Sequence, residues 1–199
     1  MNLSIAQEKF HNFLQDYITT TKEESHNLFN CFDYKVFGKG IILEKANSVP
    51  KNHFLFMSGF VRRYFINENG DQVITDINNG IEFLSTYVHF LNKTVSPINY
   101  IETITEVEVL CINYKNFSKM LINYPVMKEL ETRYLLMLSN RHRQRSVALA
   151  TQNPQKRYHL FLENFPNIIK EVPLTYIASY IGVTPQSLSR IRARLSNSK

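Results

Sequence analysis

Cysteine is scarce in this sequence: the 199 residues contain two, Cys31 and Cys111, far apart in the chain. Two isolated cysteines exclude a disulfide framework, a cysteine-rich zinc site and an iron–sulfur cluster. No His-x-His pair occurs, and no Ser-His-Asp or Cys-His arrangement is supported by spacing. We therefore assign no catalytic residues, no metal ligands and no cofactor, and do not expect an enzyme.

Long apolar runs are also missing. No run approaches the roughly 18 residues that a membrane-spanning helix needs. The N-terminal stretch MNLSIAQEKFHNF has mixed charge and lacks the apolar segment of a signal peptide. These absences predict a cytoplasmic protein without membrane contact.

Acidic residues are rare in the last third of the chain. Residues 133–199 carry 11 Lys and Arg against 2 Asp and Glu, a net charge of +9, whereas residues 1–132 carry 12 against 15, a net of −3. A lone basic cluster is commonly a solvated face, but this imbalance extends over a whole segment. It favours a polyanionic partner, because Lys and Arg that neutralise phosphates release counterions.

Short β-rich runs fill the middle of the chain, after a helical N-terminal segment. From Tyr34 to Ile112 the runs are YKVF, GIILE, HFLFMSG, FVRRYFI, QVITDI, INYIETI and VEVLCI. Turn residues separate them, and Asn67–Gly70 has the composition of a hairpin turn. This regular succession predicts an antiparallel barrel or sandwich.

A long helix is predicted next, from Pro125 to about Leu149, since no proline or glycine interrupts it. Four residues along it recur at a spacing of three or four: Met127, Leu130, Tyr134 and Met137. Such a stripe is commonly part of the chain's own core. The length of the helix and its polar end SNRHRQRS favour instead an interface between two copies of the chain.

The stretch IASYIGVTPQSLSRIRARL, from Ile177 to Leu195, predicts two short helices joined by a tight turn. Gly182 suits the positive-φ position that ends a helix, Thr184 is a good N-cap and Pro185 a good first helical residue. In the second helix the apolar residues recur every three or four positions and must face inward. They are Leu188, Ile191 and Leu195.

The opposite face of that second helix is polar and basic, which is typical of a DNA-reading helix. Gln186 suits an adenine edge and Arg190 a guanine edge. Thr184, Ser187 and the first amides of the helix suit a phosphate, and Arg194 is expected to meet phosphate. The candidate DNA-binding residues are Thr184, Gln186, Ser187, Ser189, Arg190 and Arg194. The alternative is a structural helix pair in an enzyme.

The text KRYHLFLENFPNI…VPLTYIASYIGVTPQSLSRIR resembles the Crp/Fnr superfamily of bacterial transcription regulators. The resemblance implies an α+β fold with an N-terminal jelly-roll barrel of the cyclic-nucleotide-binding type, flanked by helices, over residues 1–116. A long dimerisation helix would follow over residues 117–149 and a winged helix-turn-helix over residues 150–199. Arg190 matches the family's main guanine-reading arginine, and Gln186 stands where the family has a glutamate.

The sensor end departs from the family's ligand pattern. Counting from Gly80, the positions that hold a cyclic nucleotide in the family fall at about Leu84-Ser85 and Val95-Ser96. Only Ser96 matches, and Glu82 lies two or three residues early. The candidate effector pocket is therefore Glu82, Ser85, Val95 and Ser96, with an effector other than cyclic AMP, because a phosphate beside Val95 would lose its charge-assisted partner.

The sequence as a whole predicts a dimeric, sequence-specific DNA-binding regulator. Its expected partners are double-stranded DNA, a second copy of the chain, RNA polymerase and an unidentified small-molecule effector, if it has one. His53 and His89 could each ligate haem, but a lone histidine is more often structural. The alternative function is a small-molecule-binding or enzymatic barrel with a basic helical interaction module.

Overall fold

The computed structural model describes residues 3–166 and 168–196. Residues 1, 2, 167 and 197–199, which belong to the predicted first and last domains, lie outside the described part. The helices are α1 (Leu3–Gln15), α2 (Lys22–Phe29), α3 (Tyr87–Asn92), α4 (Tyr114–Asn123), α5 (Val126–Thr151), α6 (Pro154–Asn164), α7 (Ile168–Glu171), α8 (Leu174–Ile181) and α9 (Pro185–Ser196). The strands are β1 (Asp33–Phe37), β2 (Ile42–Glu44), β3 (Asn52–Ser58), β4 (Val61–Ile66), β5 (Gln72–Asn78), β6 (Glu82–Leu84), β7 (Tyr100–Thr103) and β8 (Val107–Asn113).

The eight strands form two four-stranded antiparallel sheets. Their orders are β1-β8-β3-β6 and β2-β7-β4-β5. Within the described strands no ladder joins one sheet to the other, so the observed structure is two packed sheets, and the closed barrel of the sequence prediction is not shown. The mixture of helices with an antiparallel β domain is confirmed.

Side-chain alternation on β3 divides the core into two layers. Phe54 and Phe56 point between the sheets, where they pack with residues of β4 and β7. Leu55 and Met57 point to the other face, which is covered by helices α1, α2, α4 and α5. Strand β3 is thus buried on both faces, which explains its nearly continuous apolar sequence.

Two local predictions are confirmed by their hydrogen bonds. Between β4 and β5 the Asn67 side-chain oxygen accepts from the amides of Asn69 and Asp71 at 3.0 and 2.8 Å. Gly70 adopts φ 84°, a conformation that favours glycine. The reciprocal cap of α2 is present as well, because the Thr21 hydroxyl accepts from the Glu24 amide and the Glu24 carboxylate accepts from the Thr21 amide.

The predicted central helix over residues 117–149 is two helices in the structure. Helix α4 ends at Asn123 and α5 begins at Val126, with Tyr124 and Pro125 between them. Proline has no amide hydrogen to continue the ladder of α4, so the chain stops one helix and starts another. Within the described residues no helix is both long and apolar enough to cross a bilayer.

The wing of the predicted winged helix-turn-helix is not found in the described residues, where no strand follows β8. Between α6 and α8 the chain forms the short helix α7 instead. Ile168 and Val172 are both buried there, and the Val172 amide donates to the Ile168 carbonyl at 2.8 Å. Their spacing of one helical turn, between two prolines, favours a helical turn over a hairpin.

The residues of the predicted dimer seam lie in the chain's own core. Met127, Leu130 and Tyr134 are 2–4% exposed and lie in the chain's own core with α1 and β6, and Met137 packs partly against it. The Tyr134 hydroxyl also accepts from the Phe83 amide at 3.0 Å. A helical apolar stripe indicates burial but does not indicate what buries it, and here the alternative of an intrachain core applies.

We expect Leu130→Ala to lower the free energy of unfolding by about 2–5 kcal/mol, because it empties a site with 2% exposure in a packed core. Urea denaturation followed by circular dichroism measures this. The control is Ile122→Ala on α4, where the side chain is 74% exposed and the change should stay within about 0.5 kcal/mol. Equal effects of the two substitutions would contradict this assignment of the core.

Candidate functional site

Helices α8 and α9 are joined by a tight turn built as the sequence predicted. Gly182 adopts φ 70° and ends α8, and the Val183 amide donates back to the Ala178 carbonyl at 2.9 Å. The Thr184 hydroxyl accepts from the Ser187 amide at 3.2 Å and so caps α9, which begins at Pro185. These hydrogen bonds satisfy backbone groups that would otherwise have no partner at the ends of the two helices.

The inner face of α9 holds it to its own unit. Leu188 and Ile191 are buried, and Leu195 is partly buried. They pack in one cluster with Ile177, Ala178 and Ile181 of α8 and with Tyr158 and Phe161 of α6. This packing confirms the inward face that the apolar spacing predicted.

The outer face of α9 carries only polar, small and basic side chains. Its exposed members are Thr184 in the turn and Pro185, Gln186, Ser189, Arg190, Ala193 and Arg194 on the helix. Ser187 is half-buried and its hydroxyl pairs with that of Thr184 at 3.0 Å, while the Ser189 hydroxyl donates to the Pro185 carbonyl at 3.0 Å. Since α9 contains no acidic residue, its surface is cationic.

Two arginines that sequence reasoning missed hold the C-terminal end of α8. Arg157 of α6 donates from Nε to the Ile181 carbonyl at 2.8 Å and from Nη2 to the Gly182 carbonyl at 3.2 Å. Arg145 of α5 donates from Nη2 to the Tyr180 carbonyl at 2.8 Å and stacks on the Tyr180 ring. Cations at the carbonyl end of a helix satisfy its open acceptors and its dipole. We name this pair with its carbonyls the arginine clamp.

A second set of contacts attaches α8 to strands β4 and β5. The Ile74 amide donates to the Ser179 hydroxyl at 2.9 Å. Arg62 of β4 lies over the Tyr176 ring at 3.9 Å and pairs with Glu102 at 2.8 Å. The helix pair is therefore fixed to the β domain as well as to α5.

The predicted effector residues do not form one pocket. The Val95 side chain is 50% exposed, and Ser96 is buried in a bridge with Ser48. Glu82 pairs with Arg141 of α5 and Ser85 with His53 of β3. Of the four predicted residues, Ser85 lines a small cavity beside His53, and Glu82 lines a separate groove beside α5.

That cavity is small, about 60 Å³, and lies between the sheet and helices α4 and α5. Its walls are mainly apolar and include Phe83, Phe117, Leu130 and Leu138. Its polar members include His53, whose Nδ1 lies 2.6 Å from the Ser85 hydroxyl, and Tyr87 and Arg63, whose hydroxyl and Nε have no hydrogen-bond partner in the structure. A cavity of this size holds a few water molecules or a very small ligand.

Burial lowers the pKa of His53 to about 3. The neutral ring stacks on Phe83 at 4.7 Å and bonds to Ser85, so it is a structural core residue. His89 lies near the surface and bonds to Thr94. Among the described residues no three His, Cys, Asp or Glu side chains converge in a way that could hold a metal ion.

A charged cluster joins β5, β6 and α5. Arg141 bonds to Glu82 and lies 3.7 Å from Asp76. Burial raises the pKa of Glu82, and the Arg141 guanidinium acts in the opposite direction. The contact could not be read from the sequence, because the three residues are far apart in the chain and have no motif.

The low pKa of His53 predicts an acid-dependent loss of stability. The unfolded chain takes up a proton near pH 6.5 whereas the folded chain takes it up only near pH 3, so the contribution present above pH 6.5 is lost as the pH falls. Between these values we expect a slope of about 1.4 kcal/mol per pH unit from this group. His53→Leu should remove that slope in urea denaturations at pH 7.5, 6 and 5.

The matched control for this change is His89→Leu, which alters a half-buried histidine on α3. It should leave the pH slope of the wild type in place. A slope in the His53→Leu protein as steep as that of the wild type would show that other groups produce the acid sensitivity.

No protein-family model and no curated protein matches this chain. Solved structures do match it. A mutant of CooA from Carboxydothermus hydrogenoformans is 18% identical over 86% of this chain and 79% of that one, with a TM-score of 0.66. The c-di-GMP-responsive global regulator CLP of Xanthomonas campestris is 13% identical over 89% and 93%, with a TM-score of 0.68. FixK2 from Bradyrhizobium japonicum is 15% identical over 84% and 85%, with a TM-score of 0.66.

The catabolite activator protein of Thermus thermophilus and CprK have the same fold. All five are regulators of the Crp/Fnr type. At these sequence identities the likeness shows the fold alone. The fold that the resemblance to the Crp/Fnr regulators implied is thereby confirmed.

Proposed function

We propose that this chain, which has the fold of the Crp/Fnr transcription regulators, is itself a dimeric regulator that binds DNA in a sequence-specific way. The observation that carries the proposal is the two-faced helix α9. Its apolar side is buried against α8 and α6, and its exposed side presents glutamine, arginine and small residues without a carboxylate. The structural neighbours are regulators and not enzymes, which supports this function over an enzymatic barrel.

Helix α9 has the right size to enter the major groove. Its 12 residues give a length of about 18 Å at 1.5 Å per residue, and the groove is about 12 Å wide. Gln186 and Arg190 lie one turn apart on the exposed side, so both reach base edges from one orientation. Gln186 would pair with adenine, and the Arg190 fork with the two acceptors of guanine.

The start of α9 and its far end would fix the helix on the backbone. Thr184 and Ser187 stand at the N-terminus, where open amides and the helix dipole favour a phosphate. Ser189 is exposed between them and Arg190, and its small side chain permits close approach. Arg194 lies one turn beyond Arg190 and would neutralise a phosphate.

Charge supports a nucleic-acid partner. The net charge of +9 over residues 133–199 lies in the same part of the chain as α9. Affinity should therefore fall steeply as salt rises. A cytoplasmic location and RNA polymerase as a further partner belong to the same proposal.

We place the dimer interface of this proposal on the exposed side of α5, because the stripe of Met127, Leu130 and Tyr134 is buried within the chain. Leu136 is 67% exposed and Val147 is 51% exposed, three turns further along the same side. Leu135 lies beside Leu136 and is also exposed. Two copies of this face would bury leucine and valine around a two-fold axis, as a two-fold operator requires.

Cyclic AMP is not proposed as the effector. The space between the sheets is filled by Phe54 and Phe56 with their neighbours. Ser85 already bonds to His53, and Val95 points to the surface. Val95 stands where the family has its phosphate-pairing arginine, so a cyclic phosphate would lack its charged partner there.

Arg190→Ala should lower the binding free energy by about 1–3 kcal/mol per half-site and relax the preference at one base pair, because it removes a bidentate contact with guanine.

Arg194→Ala should weaken binding to all duplexes alike and reduce the salt slope by about one unit per site. Selection from random duplexes and binding titrations at several salt concentrations measure both. Enrichment of the same motif with equal strength by wild type and Arg190→Ala would refute the base contact.

Leu136→Glu should convert the dimer to a monomer, because it places a charge in the centre of the proposed interface. Light scattering measures the mass, and circular dichroism confirms that the variant is folded. Ile122→Glu is the control, since that side chain on α4 is 74% exposed and lies outside the interface. A folded Leu136→Glu protein that stays dimeric would place the interface elsewhere.

A further inference from the structure

A groove of about 400 Å³ lies between the β domain and the helix pair. Its walls come from the β5–β6 turn and from helices α5, α6 and α8. It is separate from the small cavity beside His53 and shares none of the described wall residues with it. Its volume is within the range of sites for small molecules, which is about 300–1,000 Å³.

The wall of this groove carries more positive than negative side chains. Arg141, Arg145 and Arg157 line it, and Glu82 is its one carboxylate among the described wall residues. Glu82 is already paired with Arg141. Within the described part of the chain, Arg145 and Arg157 have carbonyl partners and form no ion pair.

Arg145 also has an unused donor. Its Nε is buried and has no hydrogen-bond partner in the structure. A guanidinium N–H that is shielded from water and left unpaired is unfavourable, and no carboxylate among the described residues pairs with Arg145. The side of the groove formed by α5 and α6 therefore attracts anions.

The same groove also has an aromatic wall. Phe161, Phe165 and Tyr180 contact one another, with ring centroids 5.0 Å apart for Phe161–Phe165 and 5.4 Å apart for Phe161–Tyr180. All three line the groove. Aromatic faces of this kind favour stacked or edge-on contact with a ring of a ligand.

We propose that this groove binds an organic anion that carries an aromatic ring. The anionic group would lie against the Arg145 and Arg157 guanidiniums, and the ring against the aromatic wall. Both an aromatic carboxylate and a nucleoside monophosphate have this chemistry, and the groove has room for either.

The ligand would act on the arginine clamp. The carbonyls of α8 and an anion compete for the same guanidinium donors, and a charged acceptor forms the stronger hydrogen bond. Occupation of the groove therefore changes how α8, and with it α9, is held. This regulatory consequence rests on the proposed DNA-binding function, whereas binding of the anion does not.

The test is calorimetry on the full chain without DNA, so that it is independent of the proposed function. The probes are 2-naphthoate and AMP, with 2-naphthol as the neutral ring and acetate as the anion without a ring. We expect at least one of the first two to bind with a dissociation constant below about 1 mM, and 2-naphthol and acetate to bind at least tenfold more weakly. Which of 2-naphthoate and AMP binds identifies the source of the ligand.

The location is tested by adding a charge at the groove. Gln144 is an exposed wall residue on α5, so Gln144→Glu should weaken binding of the anion about tenfold, and Gln144→Lys should strengthen it. The matched control is Gln155→Glu, an exposed position of α6 that is not among the wall residues and should bind as the wild type does.

Three results would overturn the proposal. They are no binding of either aromatic anion below about 1 mM, equal binding by 2-naphthol, and equal effects of Gln144→Glu and Gln155→Glu. If the anion binds as expected but leaves the affinity of the chain for its selected duplex unchanged, the site remains and its action on the clamp is refuted.

Discussion

The orientation of the helix pair depends on the carbonyl end of α8 and on the two guanidiniums that hold it. Arg145 comes from α5 and Arg157 from α6, and together they bond to three successive carbonyls, those of Tyr180, Ile181 and Gly182. Position 182 favours glycine because its φ is 70°. An added Cβ would also lie 2.9 Å from the end of the flexible Leu149 side chain of α5. The turn thus lies against α5 as well as ending α8.

Helix α5 connects the β domain with this clamp through one face. Along it Tyr134 bonds to Phe83, Arg141 to Glu82, and Arg145 to Tyr180. These positions are spaced by seven and four residues, so they lie on the same side of the helix. Any change in the β domain that moves α5 thus reaches the carbonyl end of α8 through a continuous set of packed and hydrogen-bonded side chains.

Local chemistry explains which parts could be predicted from the sequence. The face of α9, its cap at Thr184 and the turn at Gly182 depend on residues within a few positions of one another, and the structure has them as expected. The apolar face of α5 is buried by residues of α1, more than a hundred positions away in the chain. The spacing of the apolar residues on α5 does not indicate which element buries them. The same holds for Arg145, which looks like a surface arginine of the polar run SNRHRQRS until α8 is placed against it.

The buried face of α5 also limits how a signal can act. Since Leu130 and Tyr134 are fixed in the core, the helix cannot turn that side toward a second chain without exposing them to water, at a cost of about 1.5–3 kcal/mol for each buried side chain. Rotation of α5 about its axis is therefore disfavoured. The residual freedom lies at its far end, where its contacts are polar and are made by Arg141 and Arg145. The hydrogen bond of Arg145 to a carbonyl can be exchanged for another at little net cost, so the part of the helix around Arg145 is the part that a ligand can shift most easily.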